Sequence, residues 1–261
     1  MTLPSTHPAD LADAQLVHAY LRAMAARPGA EQVGPFAALF SDDPSPFANY
    51  AIPLDFAAPS PEDVAALVAA FQTRDRKPRL EYVPAAAPAV EAALAAAGFT
   101  VELRPPLMTR RPDGSTPPPP PEGFDLAFVT DPVEVRAARA VQGEAFGEPR
   151  PPSDAEVGFE LAALAHGRRM LCARDLATGE IVGVGGLMTP RDGVTEVVGI
   201  AVRPALRRRG IGQAIADGLA RAAFEAGCAL AFLSAKDDAA GAVYLRVGFQ
   251  LRTPMLFMSR D

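Results

Sequence analysis

The sequence predicts a mixed α/β fold of the α+β kind, divided into two domains. Strand-like apolar runs alternate with segments of helical periodicity along the chain of 261 residues. A proline run separates these segments into two halves, each of ordinary domain size. The first half repeats the order of elements found in the second half, which indicates two related modules in tandem.

The boundary between the halves lies at residues 111–123, which read RPDGSTPPPPPEG. Five consecutive prolines, Pro117–Pro121, have no backbone N–H and favour an extended, semi-rigid spacer. A ligand for a proline-recognising domain is the alternative, but a proline run between two patterned halves is more typical of a linker. We therefore expect domains at residues 1–110 and 124–261, joined by a linker at 111–123.

The first half is predicted to begin with a helix. Apolar residues at helical spacing between Leu16 and Met24 indicate this helix, which Pro28 and Gly29 end. Ser60, followed by Pro61 and by an acidic residue at position 63, is typical of a capped helix start. The remaining elements are predicted strands at Pro35–Phe40, Phe47–Leu54, Arg79–Val83 and Phe99–Met108, and a predicted helix at Ala89–Ala97.

The second half shows sharper patterns of the same kind. Capping residues Asp131 and Ser153 predict two helix starts, and a short turn around Gly179 predicts an antiparallel hairpin. The predicted strands are Phe124–Val129, Met170–Arg174, Ile181–Met188, Thr195–Val202, Ala229–Ser234 and Phe249–Met258, with two later helices at Gly212–Ala226 and Ala239–Val247.

Composition excludes several classes of protein. Lys and Arg number 25 against 31 Asp and Glu, a net charge of −6 that argues against a nucleic-acid-binding surface. No apolar run approaches the ~20 residues of a membrane-spanning helix, and Met1–Asp10 lacks the features of a secretion signal. Cys172 and Cys228 lie in apolar runs, and three widely spaced histidines make a zinc site improbable. We therefore expect a cytoplasmic protein without a metal.

The segment 196–213, EVVGIAVRPALRRRGIGQ, combines a strand, a basic glycine-containing loop and a helix start. Free backbone N–H groups converge at such a helix start, where the helix dipole also favours an anion. Gly210 and Gly212 let a phosphate approach the backbone closely. The segment lacks the Gly-Lys-Ser/Thr of a P-loop and the third glycine of the dinucleotide fingerprint. A basic turn without a ligand is the alternative.

These residues resemble the GNAT superfamily of N-acetyltransferases, whose acetyl-CoA motif is Arg/Gln-x-x-Gly-x-Gly/Ala after the fourth strand. Arg207, Gly210 and Gly212 match this motif, and the segment 202–204, VRP, matches the strand exit of the family. Downstream, the segment 243–249, VYLRVGF, matches a second signature, a tyrosine four residues before Gly-Phe. Asp237 stands where many members have asparagine. The resemblance covers roughly Phe124 to Asp261.

For this chain the resemblance implies acetyl-CoA as the acetyl donor. The pantetheine arm is expected to pair with the last residues of the strand as an added strand would, and an amide there would polarise the thioester carbonyl. The pyrophosphate is expected on the backbone of the loop and the helix start. The implied cofactor-binding residues are Ile200, Ala201, Val202, Arg207, Arg208, Arg209, Gly210, Ile211, Gly212 and Gln213.

The resemblance also implies two catalytic residues. Tyr244 occupies the position that commonly protonates the departing CoA sulfur, with a core aromatic as the alternative. Glu196 matches the position of a general base, with a solvated charge near the strand start as the alternative. Strand alternation is expected to place Glu196, Val198, Ile200 and Val202 on one face.

The first half is expected to be a degenerate GNAT-like domain, so that the chain holds two such domains in tandem. The segment 97–99, AGF, echoes the second half's Gly-Phe signature. Between Leu54 and Pro61, however, the chain reads DFAAPS, without the glycine and arginine of a phosphate site.

The resemblance implies an N-acetyltransferase that transfers an acetyl group to a primary amine of a small molecule or peptide by direct attack in a ternary complex. A non-catalytic acyl-CoA-binding sensor or structural module is the alternative, and a CoA-independent binding protein is a third. Loops at Gly147–Pro152 and Arg191–Gly193 are expected to wall the acceptor pocket. We expect no nucleic-acid or membrane partner and a monomer, with a homodimer left open.

Overall fold

The computed structural model describes residues 8–26, 29–41 and 48–261. Predictions that fall on residues 1–7, on Pro28 and on Phe47 lie outside these residues. In the first half the elements are α1 (Pro8–Ala25), β1 (Ala30–Val33), β2 (Phe36–Leu39), β3 (Tyr50–Pro53), α2 (Pro61–Gln72), β4 (Arg79–Tyr82), α3 (Val90–Ala96), β5 (Thr100–Leu103) and β6 (Pro106–Arg110).

The second half begins after the proline-rich segment. Its elements are β7 (Phe124–Phe128), α4 (Pro132–Phe146), α5 (Asp154–Ala165), β8 (Arg169–Asp175), β9 (Ile181–Leu187), β10 (Val194–Val202), α6 (Ile211–Glu225), β11 (Leu230–Ser234), α7 (Asp238–Leu245), β12 (Gln250–Pro254) and β13 (Leu256–Ser259). The helices predicted to start after Ser60, Asp131 and Ser153 do so, because each of these side chains accepts a hydrogen bond from a first-turn backbone N–H.

The strands form two mixed sheets. The six-stranded sheet has the order β1-β2-β3-β4-β13-β5, and the seven-stranded sheet has the order β12-β6-β11-β10-β9-β8-β7. Each sheet contains a parallel pair, β3 with β4 and β10 with β11, and antiparallel pairs such as β2 with β3 and β9 with β10. The predicted hairpin of β8 and β9 is present. The predicted mixed α/β fold is therefore confirmed.

Two predicted strands are wrong in extent. The run Phe99–Met108 is two strands, β5 and β6, and the run Phe249–Met258 is also two, β12 and β13. Proline explains both breaks, because Pro105 and Pro254 have no N–H with which to continue a ladder. After each break the chain passes from one sheet to the other. Strands β5 and β13 are neighbours in the six-stranded sheet, while β6 and β12 are neighbours in the seven-stranded sheet.

The chain forms two compact units, and each of them contains segments from both the earlier and the later part of the sequence. The first contains the described residues up to Met108 together with Ser234–Asp238 and Leu251–Asp261, and the second contains Thr109–Leu233 and Ala239–Gln250. The boundaries at 1–110, 111–123 and 124–261 stay a prediction drawn from composition.

In the second unit, helices cover both faces of the central strands. Added Cβ atoms at Gly183 and Gly185 of β9 would lie within 3 Å of Ile211, Ile215 and Leu219, so α6 packs directly on this face. Val184, between the two glycines, joins the apolar cluster that contains Val135, Ala138 and Val141 of α4. The two glycines therefore set how closely α6 approaches the sheet.

The proline-rich segment lies along α6 rather than standing free. At the far end of the helix, Arg221 donates to the Ser115 carbonyl at 2.5 Å and to the Ser115 hydroxyl at 2.9 Å. Asp217 of the same helix accepts from Arg221 and from buried Arg110 at 2.8 and 2.6 Å. At the helix start, the Pro121 ring lies 3.6 Å from where a Cβ would stand on Gly210. The segment thus runs antiparallel to α6.

None of the helices in the described ranges is long and apolar enough to cross a membrane. Both cysteines are buried, as their apolar surroundings predict. Burial raises the pKa of Cys172 to about 12.

Candidate active site

Strands β10 and β11 diverge beside the start of α6. Their parallel register covers only Val194–Glu196 of β10, opposite Leu230–Phe232. The register of β10 with β9 continues to Val202. The β11 side of the later part of β10 is therefore open, and its backbone groups can pair with an extended ligand as they would with a strand.

A β-bulge interrupts β10 within this open stretch. Val198 pairs with Gly186 and Ala201 with Val184, so one extra residue is inserted on β10. Gly199 adopts φ of +61°, which glycine accepts without strain. Its carbonyl accepts a hydrogen bond of 2.9 Å from the Gln142 side-chain amide of α4. A glycine inside a strand pattern was the sequence signal for this bulge.

The bulge corrects the expectation that Glu196, Val198, Ile200 and Val202 share one face. Because a bulge adds a residue to a period of two, the side chains before and after it point to opposite faces. Ile200 and Val202 lie on the α6 side, 4.0 and 3.8 Å from where a Cβ would stand on Gly212. Glu196 and Val198 lie on the other face.

The loop after β10 presents an uncapped helix start. A short turn at Pro204–Leu206 leads to Arg208, at φ +63°, and to Gly210, at φ +80°, which is the N-cap residue of α6. No side chain caps this helix, and its first turn contains no acidic residue. A Cβ on Gly212 would meet only ordinary contacts, so packing within the chain does not require glycine there. An anion fits this position because first-turn N–H groups and the helix dipole both favour it.

The three loop arginines are exposed and have different partners. Arg207 donates to the Val202 carbonyl at 3.2 Å and to the Ala145 carbonyl at 3.4 Å, which ties the loop to the ends of β10 and α4. Arg209 lies over the Phe124 ring at 4.6 Å. Together they leave a positive surface around the helix start.

The two predicted catalytic residues are both half-buried. Tyr244 lies on α7 and makes an edge-to-face contact with Phe249, with ring centroids 6.2 Å apart. Glu196 lies where the pairing of β10 with β11 ends. Their roles as acid and base stay predictions.

A cleft of about 120 Å³ opens beside the bulge. Four lining residues are spaced as one face of α4, and the rest come from the following loop and α5. The lining residues are Arg139, Gln142, Gly143, Phe146, Glu148, Arg150, Pro152 and Glu156. Part of the predicted loop Gly147–Pro152 thus lines a cleft, whereas Arg191–Gly193 does not line it. Sequence reasoning missed Arg139 and Gln142, because polar residues at helical spacing are typical of any solvated face.

The charges in this cleft are organised by hydrogen bonds. Arg150 and Glu156 form a bidentate ion pair, in which Nη1 donates to Oε2 and Nη2 to Oε1, both at 2.8 Å. Hydrogen bonds from Arg150 and Ser153 hold the pKa of Glu156 well below its ordinary value. Arg139 donates to the Gln142 side-chain oxygen at 2.8 Å. In the described part of the chain, no cluster of His, Cys, Asp and Glu suited to a metal ion occurs.

Comparison with known proteins finds a family model that matches part of the chain and solved structures that are similar to all of it. Residues 135–249 match the model of the acetyltransferase (GNAT) family. A GCN5-related N-acetyltransferase from Kribbella flavida is 27% identical, with a TM-score of 0.76 over 99% of this chain and 97% of that one. None of the curated proteins compared with the chain matches it.

Two more distant structures share the fold. A GCN5-related N-acetyltransferase from Sphaerobacter thermophilus is 18% identical, with a TM-score of 0.65 over 99% of this chain and 96% of that one. A tandem GNAT protein from the clavulanic acid biosynthesis pathway is 17% identical, with a TM-score of 0.65 over 98% and 97%. Residues 135–249 therefore match an acetyltransferase (GNAT) domain, and the fold of the whole chain is similar to that of a tandem GNAT protein.

Proposed function

We propose that the chain is an acetyl-CoA-dependent N-acetyltransferase that acetylates a primary amine of a small molecule or peptide by direct attack in a ternary complex. The observation that carries this proposal is the uncapped start of α6 beside the open edge of β10. The helix start is suited to binding a diphosphate, and the open strand edge is suited to pairing with an amide-containing arm. Acetyl-CoA contains both and supplies an activated acetyl group.

In this proposal the chain binds the donor mainly through its backbone. The N–H groups at Arg207 to Gly212 and at Gln213 bind the pyrophosphate, with added charge from Arg208 and Arg209. The backbone of Ile200, Ala201 and Val202 pairs with the pantetheine arm. The bulge at Gly199 turns a backbone amide toward the thioester carbonyl and stabilises negative charge on its oxygen. Ile211 anchors the helix start, because its side chain is buried against β9.

Two side chains handle the protons. The amine nitrogen forms a bond to the acetyl carbon, the carbon–sulfur bond breaks, and Tyr244 donates its phenol proton to the departing thiolate. Glu196 accepts the proton that the amine releases. A lysine-like amine costs roughly 4–5 kcal/mol to deprotonate at pH 7, whereas an α-amine costs about 1 kcal/mol. Glu196 therefore matters most for strongly basic acceptors.

The test is release of free CoA thiol from acetyl-CoA over a panel of amines, with calorimetric binding of CoA measured in parallel. Tyr244→Phe should lower turnover about 100-fold or more and leave CoA affinity unchanged, since only a proton donor is removed. Equal turnover would overturn the acid role. CoA binding that Gly210→Glu abolishes, without turnover of any amine, would instead identify a non-catalytic acyl-CoA sensor.

A further inference from the structure

The cleft beside α4 contains an arginine that forms no ion pair with the residues that the structure describes. Arg139 is half-buried, and in the described part of the chain its guanidinium has no ion pair with a carboxylate. The other arginine of the cleft, Arg150, is neutralised by Glu156. Withdrawing a charge from water is unfavourable unless a counter-charge is supplied, so the position of Arg139 is best satisfied by an anionic ligand.

A single side-chain amide connects Arg139 to the bulge. Gln142 donates through Nε2 to the Gly199 carbonyl at 2.9 Å and accepts through Oε1 from Arg139 Nη1 at 2.8 Å. The orientation of this amide is fixed, because a carbonyl only accepts and a guanidinium only donates. Gln142 is buried, which holds the arrangement rigid. A group bound to Arg139 is therefore separated only by the Gln142 side chain from the strand segment where acetyl transfer is proposed.

We propose that this cleft binds the acceptor and that Arg139 recognises a carboxylate carried by it, so that the substrates are amines of the amino-acid or peptide type. This inference rests on the proposed function, since it names the acceptor of the same site. The planar guanidinium presents a fork of donors that matches a carboxylate. Phe146, 57% exposed at the cleft, offers apolar surface to the rest of the acceptor.

Two arginines and two glutamates line the cleft, but both glutamates act on Arg150, so Arg139 is the cation that argues against other amine classes. A polycationic acceptor brings no counter-charge for Arg139 and is repelled by it. A simple alkylamine leaves the guanidinium unmatched and gains no directional contact. An α-amino carboxylate supplies the anion close to the amine, and its amine is easier to deprotonate than that of lysine.

The first experiment compares matched acceptors with the full chain and acetyl-CoA. Each amino acid or dipeptide is tested beside its carboxamide and its decarboxylated amine, with thiol release as the readout. The carboxamide is the sharp control, because its amine is the least basic of the three yet carries no anion. We expect kcat/KM at least about 10-fold higher for the carboxylates. Equal or better turnover of the carboxamides overturns the carboxylate assignment alone, whereas no thiol release with any amine overturns the proposed function.

The second experiment uses variants of Arg139. Arg139→Gln should raise KM for carboxylate acceptors about 10- to 100-fold with little change in kcat, and should leave KM for the carboxamides unchanged. Arg139→Lys should recover part of the affinity for carboxylate acceptors, because lysine keeps the positive charge but lacks the planar set of guanidinium donors. Arg104→Gln, which removes an exposed arginine paired with Glu91, is the charge-matched control and should behave as the wild type. A loss in Arg139→Gln that is equal for carboxylates and carboxamides indicates a structural role and overturns the proposal.

Discussion

The starts of α2 and α6 occupy equivalent places in the two halves, since each helix connects two strands that are parallel neighbours in its sheet. At α2, Ser60 accepts from the Asp63 N–H at 3.2 Å, and Asp63 accepts from the Ser60 N–H at 2.9 Å. At α6 the N-cap is Gly210, with no capping side chain and no acid in the first turn. The first half therefore satisfies its helix start with its own carboxylate, whereas the second leaves the same groups for a ligand.

A second difference concerns the proposed acid. Four residues before the Gly-Phe signature, the second half has Tyr244, half-buried, and the first half has Leu94, fully buried in the core. The same helix position thus has a phenol hydroxyl in one half and an aliphatic core side chain in the other. The first half thus lacks both the uncapped helix start and the tyrosine to which we assign donor binding and acid catalysis in the second half, and we propose that it does not bind the donor.

The largest effect is expected when α6 receives an acidic residue at the position where α2 has Asp63. Gln213 stands at the third helical position of α6, where α2 has Asp63. Gln213→Glu should weaken CoA binding about 10- to 100-fold, because a carboxylate there competes with the diphosphate for the same N–H groups. Calorimetry with CoA measures the effect. Gln72→Glu, exposed on the last turn of α2, is the control and should bind as the wild type; unchanged binding in Gln213→Glu contradicts the phosphate site.

A smaller effect is expected when the cap of α2 is removed. Ser60→Ala should lower the free energy of unfolding by about 1 kcal/mol, because the hydrogen bond from the Asp63 N–H to the Ser60 hydroxyl is lost. Ser60→Asn keeps an acceptor at the cap and should retain most of the stability. Urea unfolding measures both variants. CoA affinity should stay the same in each, and a gain of CoA affinity in Ser60→Ala would show that the cap alone closes a second donor site.

The smallest effect concerns the pH dependence of the first half. His18 is fully buried, its Nε2 donates to the Pro53 carbonyl at 2.8 Å, and its Nδ1 faces the Val83 N–H at 3.5 Å. Burial lowers the pKa of His18 from its ordinary value of 6.5, and the hydrogen bond to Pro53 only partly opposes this. The unfolded chain therefore takes up a proton below pH 6.5 more readily than the folded chain, and stability falls as pH falls through that range.

Unfolding free energies measured from pH 7.5 to 5.5 test this expectation. His18→Gln should flatten the dependence, because the group that titrates differently in the two states is gone. His166→Gln, on an exposed residue, should keep the wild-type slope. Identical slopes in all three proteins would show that His18 does not couple folding to protonation.

Local signals were sufficient to predict much of the fold. Ser60, Asp131 and Ser153 mark helix starts because a capping side chain bonds within three residues of itself. The strand at 195–202 and the loop after it were likewise predicted from adjacent residues. The exchange of strands between the two sheets was not predicted. The strand that pairs with β4 is distant in the sequence, and the alternation of apolar and polar residues within a strand does not identify the strand beside it.

The site shows the same division between local and distant information. Arg207, Gly210 and Gly212 form a motif within six residues, so the sequence predicts the phosphate site directly. Arg139 and Gln142 acquire meaning only through the distant Gly199 carbonyl, which Gln142 contacts. Nothing in the helical pattern of α4 distinguishes them from solvated residues.

The place of β13 between β4 and β5 also sets the order of events during synthesis on the ribosome. Residues 79–82 and 100–103 emerge early, but the strand that joins them, Leu256–Ser259, emerges more than a hundred residues later. Until then the first sheet has a gap with two unsatisfied edges, which other chains can pair with. Closing it requires contacts of long sequence separation, which slow folding. The half without a proposed donor site is thus the last to be completed, although it is translated first.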